Sequence, residues 1–505
     1  MMVARTGSAV IVGVRARPVT VEADVSSGLP GMTVVGLADA AINEARDRVR
    51  AAVQHSCAEW PRTRITVALL PSSLPKRGSA LDAAIAVAVL AAGRQVPSEA
   101  AARVCVLGEL GLDGRLHAVP GVIAAALAVR GRSGLRLLVP EANLGEAMLV
   151  PDLDAGGVRD LDHLIAILRG DAAPTDASPQ PLADPLTSGP DLADVRGQVE
   201  ARSALEVAAA GGHHLSLIGE PGAGKSMLAT RLPGLLPPLG DEAALEVTAI
   251  RSIAGQLAPG DGLWRRPPFV APHHTASSVA IIGGGQAGRV TVGAITLAHR
   301  GVLFLDEAPE FARSVLEAMR QPLEEGEVRV ARADLSVTLP ARFQLVLAAN
   351  PCPCGRGLGD GADCSCSSVQ RRRYSARISG PLADRIDLRL QVRRPAAGAL
   401  GDDGESTAVV AERVRQARER MRARWHGTAW QVNADVPGPA LRRDWPAEER
   451  ATSILSRAVA RGALTLRGAD RVLRVAWTLA DLADRVRPGS DDIARAIALR
   501  GPEAA

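Results

Sequence analysis

A chain of 505 residues has room for about three domains, and at 47% hydrophobic but 2% aromatic residues its cores must be built from Ala, Val, Leu and Ile. The net charge of +4 permits a nucleic-acid partner without arguing for one. No apolar run approaches the ~18 residues of a membrane span, and Arg5, Arg15 and Arg17 flank only a short Val-rich run at the N-terminus, so a cytoplasmic protein with no membrane partner is expected.

In chain order, residues 9–14, 65–70, 103–107 and 135–139 read as strands and 39–53, 80–92 and 121–129 as helices, a compact α/β domain over 1–170. Residues 171–190 are rich in Pro, Ser, Asp and Ala without periodicity and read as a linker. Beyond it, 198–210 reads as a helix and 214–218 as a strand, with a further helix from Lys225. Apolar strands follow at 301–305 and 343–349, closing a core over 191–400. From 401 to 505 the chain reads as helical, with helices at 409–425, 448–461, 467–485 and 490–499. The six arginines of 409–425, interspersed with glutamates, are expected on a solvated face.

Two of the 59 basic residues are lysines, Lys76 and Lys225; the other 57 are arginines. Lys225 lies in Gly219-Glu220-Pro221-Gly222-Ala223-Gly224-Lys225-Ser226, the phosphate-loop pattern, between a strand and a helix. A slim ammonium reaches between β- and γ-phosphates where a planar guanidinium is too wide. Backbone N–H groups from Gly222 to Ser226 would cradle phosphate at the helix N-terminus, and the Ser226 hydroxyl would ligate Mg²⁺. The strand 302–305 ends in Asp306-Glu307. Asp306 would hold Mg²⁺ through water and Glu307 would polarise the attacking water. Asn350 ends the next apolar strand, where a polar amide can position that water. Arg385 precedes another strand, and Arg467 opens a helix from which it could reach phosphate. ATP and Mg²⁺ are therefore the expected cofactors.

With these motifs, Pro268–Ser277 (PFVAPHHTAS), Leu297–Glu307 (LAHRGVLFLDE) and Asn350-Pro351-Cys352-Pro353-Cys354-Gly355, the chain resembles the magnesium-chelatase-like AAA+ ATPases of the ComM/YifB type over nearly its whole length. The resemblance implies that Asn350 is sensor 1, Arg385 a trans-acting arginine finger and Arg467 sensor 2, with Arg471 and Arg474 as alternatives on the same helix. It implies a homo-hexameric ring, a helix-2 insert containing 281–292, a hairpin near 327–335 whose Arg329 and Arg332 could touch a phosphate backbone, and a C-terminal helical lid. In that setting His273 and His274 are expected to be pore or packing residues. Residues 1–170 resemble the Lon-protease-like fold. On Leu74–Asp82 (LPKRGSALD) and the turn 108–116 leading to Pro120–Ile123, the nucleophile position falls on Ala80 and the lysine position on Ile123, which implies a catalytically dead domain. Lys76 is the lone lysine there, and a structural role is expected for it.

Cys352-x-Cys354 and Cys364-x-Cys366 stand nine residues apart. They offer four thiolates for a structural Zn²⁺; reduced free cysteines and a redox switch are the alternatives. The resemblance implies a ring ATPase that couples hydrolysis to translocation and branch migration on single-stranded or branched DNA, in recombination or natural transformation. A magnesium-chelatase motor subunit is the alternative, and an ATP-dependent protease is disfavoured by Ala80 and Ile123.

Overall fold

The computed structural model describes residues 3–501 except 37–39, 77, 177–188, 259, 287–288, 333–334, 358–362, 379 and 395–403. Most of the expected linker and the expected boundary near 400 lie outside the described residues. The chain is a mixed α/β protein with a helical C-terminal region.

The N-terminal region is built on a seven-stranded sheet in the order Gly31–Val35, Arg64–Leu70, Arg15–Ser26, Val3–Val12, Val104–Val106, Arg136–Pro140, Ala155–Val158. Its two longest strands, Val3–Val12 and Arg15–Ser26, form one hairpin with Val12 opposite Arg15. Gly13 sits in the turn at φ +67°, a conformation glycine adopts without penalty. Only 9–14 of this hairpin is evident from hydrophobic runs, because the remaining residues alternate buried with exposed. The helix Asp82–Ala92 is buried at every position, as its apolar residues on all sides require. Asp82 tolerates that burial because Arg48 Nε donates to it at 2.8 Å; breaking such a pair costs about 3–5 kcal/mol.

The central region carries five parallel strands in the order Phe269–Val270, Val302–Leu305, Gln344–Ala349, Leu215–Gly219, Leu388–Val392. Val302–Leu305 and Gln344–Ala349 are buried throughout, which is why they read as continuous apolar runs. In such sheets ligands bind beyond the carboxyl ends of the strands. Two hairpins project from this core, Gly283–Gln286 with Arg289–Val292 and Glu327–Arg332 with Leu335–Pro340, and they pack together. The tip of the N-terminal hairpin docks here: Val12 and Val14 pack on the apolar cluster that holds Val337 and Leu339. A second contact sets Val122 and Ile123 in one apolar cluster with Leu245 and Ala249 of the helix Asp241–Ile253.

The C-terminal α-helices described are Thr407–Arg424, Gly438–Asp444, Glu449–Ala460, Leu466–Leu482 and Ser490–Arg500. Trp425, Trp430, Trp445 and Trp477 form a chain of edge-to-face rings among them, with centroids 5.1–6.5 Å apart. The expected solvated arginine face on Thr407–Arg424 holds for Arg415, which pairs with Glu412 and Glu419 at the surface. It fails for Arg418, which donates to the carbonyl of Ala209, and for Arg424, which pairs with buried Asp481 and lies 4.2 Å from the Trp477 ring centre. These two arginines bury their stems while their guanidiniums find acceptors inside, which an alternating Arg/Glu pattern cannot reveal. Among the described residues no helix is long and apolar enough to cross a membrane.

Candidate functional site

The strand Leu215–Gly219 delivers the phosphate loop at its carboxyl end, and the helix Lys225–Leu235 leaves it. Gly222 and Gly224 lie at φ +75° and +92°, which side-chain-bearing residues rarely adopt. Neighbouring strand tips then bring distant residues to the loop. Ser226 Oγ donates to Asp306 Oδ2 at 2.7 Å across a gap of 80 residues. Lys225 Nζ donates to Asn350 Oδ1 at 3.1 Å, and to the carbonyls of Gly219 at 2.7 Å and Glu220 at 3.0 Å. Burial lowers the Lys225 pKa, while the nearby carboxylates of Asp306 and Glu307 oppose the shift. The ammonium therefore sits where neutral and anionic oxygens converge. Ser226 and Asp306 together present hard oxygen donors, the set that suits Mg²⁺.

Glu307 takes a left-handed backbone conformation, φ 50° and ψ 44°, unusual for a residue with a Cβ. Its Oε2 lies 3.4 Å from His274 Nδ1. His274 in turn rests 4.2 Å from the His273 ring centre and meets Phe311 edge-on. The expected packing contacts are present, and His274 in addition faces the acidic strand tip. It follows the short strand Phe269–Val270, whose parallel pairing with Val302–Leu305 carries it to the carboxyl edge. Pro-His-His-Thr directly after an edge strand was the available signal.

Two other contacts to the loop were not foreseen. Buried Gln198 donates Nε2 to the Ala223 carbonyl at 2.7 Å, and Arg394 donates Nη2 to the Pro221 carbonyl at 2.8 Å.

Arg385 is not brought to the phosphate loop of its own chain. It precedes Leu388, which is paired with Leu215, whereas Gly219 pairs with Val392 at the other end of the same strands. Four strand residues at ~3.3 Å each put about 13 Å between those ends. Arg385 instead donates to the Pro381 carbonyl at 2.5 Å and pairs with Glu324. On the lid helix Leu466–Leu482, Arg467 is exposed in the first turn. Arg471 pairs with buried Asp387 at 2.6 Å, and Arg474 donates to the Val436 carbonyl at 2.7 Å. Burial alone would raise the Asp387 pKa, but Arg471 and His213 outweigh it and hold that carboxyl well below the usual range. Arg471 therefore joins the C-terminal helices to the core and Arg474 bonds within those helices, while Arg467 presents an exposed guanidinium. Arg329, on the second hairpin, is largely exposed and lies 3.4 Å from Glu325; the Arg332 side chain lies outside the described residues.

The four cysteines converge. Cys352 Sγ lies 3.3 Å from Cys354 Sγ and 3.6 Å from Cys364 Sγ, and Cys354 and Cys364 are 3.7 Å apart. With Cys366, all four sulfurs fall within 4.8 Å of one another. Of the glycines between them, Gly355 and Gly357 are described, whereas Gly359 and Gly361 lie outside the described residues.

In the N-terminal region, Ala80 packs on the apolar cluster that contains fully buried Ile123. Ser79 donates to Glu109, and Lys76, fully buried, donates to the Pro71 carbonyl.

Comparison with known proteins gives the family of the chain. The family described as magnesium chelatase, subunit ChlI, matches residues 191–400; related ChlI descriptions match 21–143 and, as the ChlI C-terminal region, 404–500. An uncharacterized protein of Mycobacterium tuberculosis is 50% identical over 99% of both chains. The uncharacterized protein YifB of Escherichia coli is 42% identical over 93% of this chain and 91% of its own. The competence protein ComM of Haemophilus influenzae is 40% identical over 97% of this chain and 95% of its own. The chain belongs to the magnesium-chelatase-like AAA+ family, alongside YifB and ComM.

Proposed function

We propose that the chain is a ring-forming ATPase that couples ATP hydrolysis to movement on single-stranded or branched DNA, as a branch-migration motor. The observation that carries the ATPase half is the meeting of Lys225, Ser226, Asp306 and Asn350 at the carboxyl ends of three adjacent parallel strands, with Glu307 at the same edge. Lys225 exchanges its carbonyl and amide partners for β- and γ-phosphate oxygens, and the loop N–H groups hold the remainder. Ser226 and Asp306 would hold Mg²⁺, which would supply charge neutralisation at the phosphates. Glu307 accepts a proton from the attacking water, and Asn350 orients that water. His274 fixes the Glu307 carboxylate until nucleotide displaces it. Arg385, at the far end of the sheet, serves the neighbouring subunit's phosphates, so the site is complete only in a ring, and a hexamer is the reading we adopt. Arg467 closes on phosphate from the lid.

The DNA half is supported by the paired hairpins that expose Arg329, and by a relative named for competence. The N-terminal region has a scaffold role: apolar Ala80 and Ile123 leave no nucleophile–lysine dyad, so no protease activity is expected. The test is ATP turnover by the assembled ring with no DNA, single-stranded, forked and four-way DNA, alongside displacement of a labelled strand. Stimulation and strand movement on branched substrates are expected. An assembled ring that hydrolyses ATP but ignores every DNA would sink the motor reading while leaving the ATPase intact.

A further inference from the structure

The strand Gln344–Ala349 ends at Asn350 and the chain turns at once into the cysteine loop. The loop closes when Ser367, one residue after Cys366, caps the helix Ser368–Ser375 by accepting from the Gln370 amide at 3.2 Å. Three sulfur separations, 3.3, 3.6 and 3.7 Å, are far beyond the ~2.05 Å of a disulfide, and all four cysteines are free. Thiolates bound to one tetrahedral ion at ~2.3 Å lie about 3.8 Å from one another, the edge of that tetrahedron. The observed spacing matches a single-ion cage, whereas the multi-iron core of an iron–sulfur cluster would spread its four ligands farther. The backbone also conforms to the sulfurs. A Cβ on Gly357 would fall 2.9 Å from Cys352 Sγ and 3.5 Å from Cys364 Sγ, so only a glycine lets the chain wrap this closely. Soft thiolates discriminate against Mg²⁺, which separates this cage from the oxygen donors at Ser226 and Asp306.

The cage touches the nucleotide site from two sides. A Cβ on Gly355 would stand 2.6 Å from Pro221 Cδ, so the loop lies directly on the phosphate loop. The helix that follows buries Tyr374, and just after it Arg377 donates to the Pro309 carbonyl at 3.0 Å and to Glu310 Oε2 at 2.8 Å, three residues beyond Glu307.

We propose that Cys352, Cys354, Cys364 and Cys366 bind one zinc ion in a closed, four-thiolate site, and that this ion fixes Asn350 against the phosphate loop. With four protein ligands the ion has no open position and performs no chemistry. Its contribution is to hold a glycine-rich loop in one arrangement, so that Asn350 and Pro221 keep their places as the site opens and closes. The positioning half rests on the ATPase reading above; the metal half does not.

The full-length protein, purified without an immobilised-metal column, is assayed for metal content. One zinc per chain is expected, released by a mercurial in step with the modification of the four loop thiols, over and above that of exposed Cys57. Replacement by Co²⁺ should give the intense visible bands of tetrahedral thiolate coordination. Cys364→Ser should lower zinc affinity about tenfold or more; since that variant could fail to fold, the second arm uses wild type stripped with a strong chelator. The stripped ring should lose about tenfold in kcat with nucleotide affinity largely kept, and added Zn²⁺ should restore it. A folded protein that carries no zinc, takes up none and shows four reactive thiols would overturn the site, and so would stoichiometric iron. Zinc present but a stripped ring with undiminished kcat would overturn the positioning role alone.

Discussion

The chain's two lysines occupy regions that look alike on paper, each in a glycine-containing turn near the start of a helix, and they do opposite things. Both are pulled below the ordinary lysine pKa by burial. Around Lys225 the structure gathers two loop carbonyls, the Asn350 amide oxygen and the fields of Asp306 and Glu307, all at the carboxyl edge of a parallel sheet. Around Lys76 it gives the Pro71 carbonyl, and among the described residues burial is what moves its pKa, with no carboxylate opposing it. Ser79, which could have been its nucleophile, is turned to Glu109, and the Ala80/Ile123 pair is apolar contact. A buried lysine is therefore not by itself a mark of chemistry. Convergent acceptors that a phosphate can replace, with carboxylates beside them, are.

The sharpest way to break the comparison is Lys225→Ala. Losing both affinity and one transition-state donor, it should lower kcat/KM for ATP about 10⁴-fold, of which about 10²–10³ is in turnover. Steady-state ATPase assays with nucleotide binding measured in parallel decide this; a variant within tenfold of wild type would place the phosphates elsewhere.

Arg385→Ala comes next, at about 10³-fold in kcat with nucleotide binding preserved. Because Arg385 precedes Leu388, at the end of the strands about 13 Å from the end that carries its own Gly219, mixing it with Lys225→Ala protein should recover turnover: a mixed ring contains sites with an intact loop on one side and an intact finger on the other. No recovery in mixed rings, or loss of nucleotide binding in Arg385→Ala alone, would remove Arg385 from the trans role.

Much of this site was legible because its parts are contiguous in sequence: a strand, a glycine loop and a helix for Lys225, and a buried strand ending in Asp306-Glu307. Asn350 was legible because parallel strands put their tips in one row. The left-handed conformation of Glu307 and its approach by His274 were not. They depend on a two-residue edge strand, Phe269–Val270, too short to carry a period. Gln198 and Arg394 were missed for a related reason: each reaches the loop through one side-chain bond to a carbonyl, a contact no residue pattern encodes. In the N-terminal region three helices were readable to within one or two residues, while Ser98–Ala102, Glu141–Ala147 and Leu161–Arg169 were missed, as was most of the long Val3–Ser26 hairpin, since its exposed face is polar and its buried face small. Within the lid, helix positions followed from periodicity, while the inward turn of Arg418 and Arg424 required the tertiary structure.

Smaller effects separate the lid arginines. Arg471→Ala leaves buried Asp387 without its main partner, and should cost about 3–5 kcal/mol in stability by denaturant titration. Arg467→Ala, altering an exposed side chain, should leave stability within ~0.5 kcal/mol and lower ATP turnover about tenfold. The reverse pattern would make Arg471 the phosphate-sensing residue and Arg467 a surface group.

The smallest expected change in ATP chemistry is at Lys76. Lys76→Met keeps most of the apolar stem and removes one of two donors to the Pro71 carbonyl, which still accepts from the Leu74 amide at 3.1 Å, at about 0.5–1.5 kcal/mol for the lost hydrogen bond. Turnover per folded ring should stay within about twofold of wild type, because nothing around Lys76 can be exchanged for phosphate and its neighbours Ser79 and Ala80 make no dyad with it. Stability by chemical denaturation, turnover and DNA stimulation should be measured on the same preparation. If stability held while DNA stimulation collapsed, Lys76 would belong to the nucleic-acid path, and both lysines would then be functional for different reasons. If stability fell and the motor still ran, the contrast between the two lysines would stand: one held by a carbonyl to keep a turn in shape, the other held by carbonyls and an amide that a triphosphate displaces.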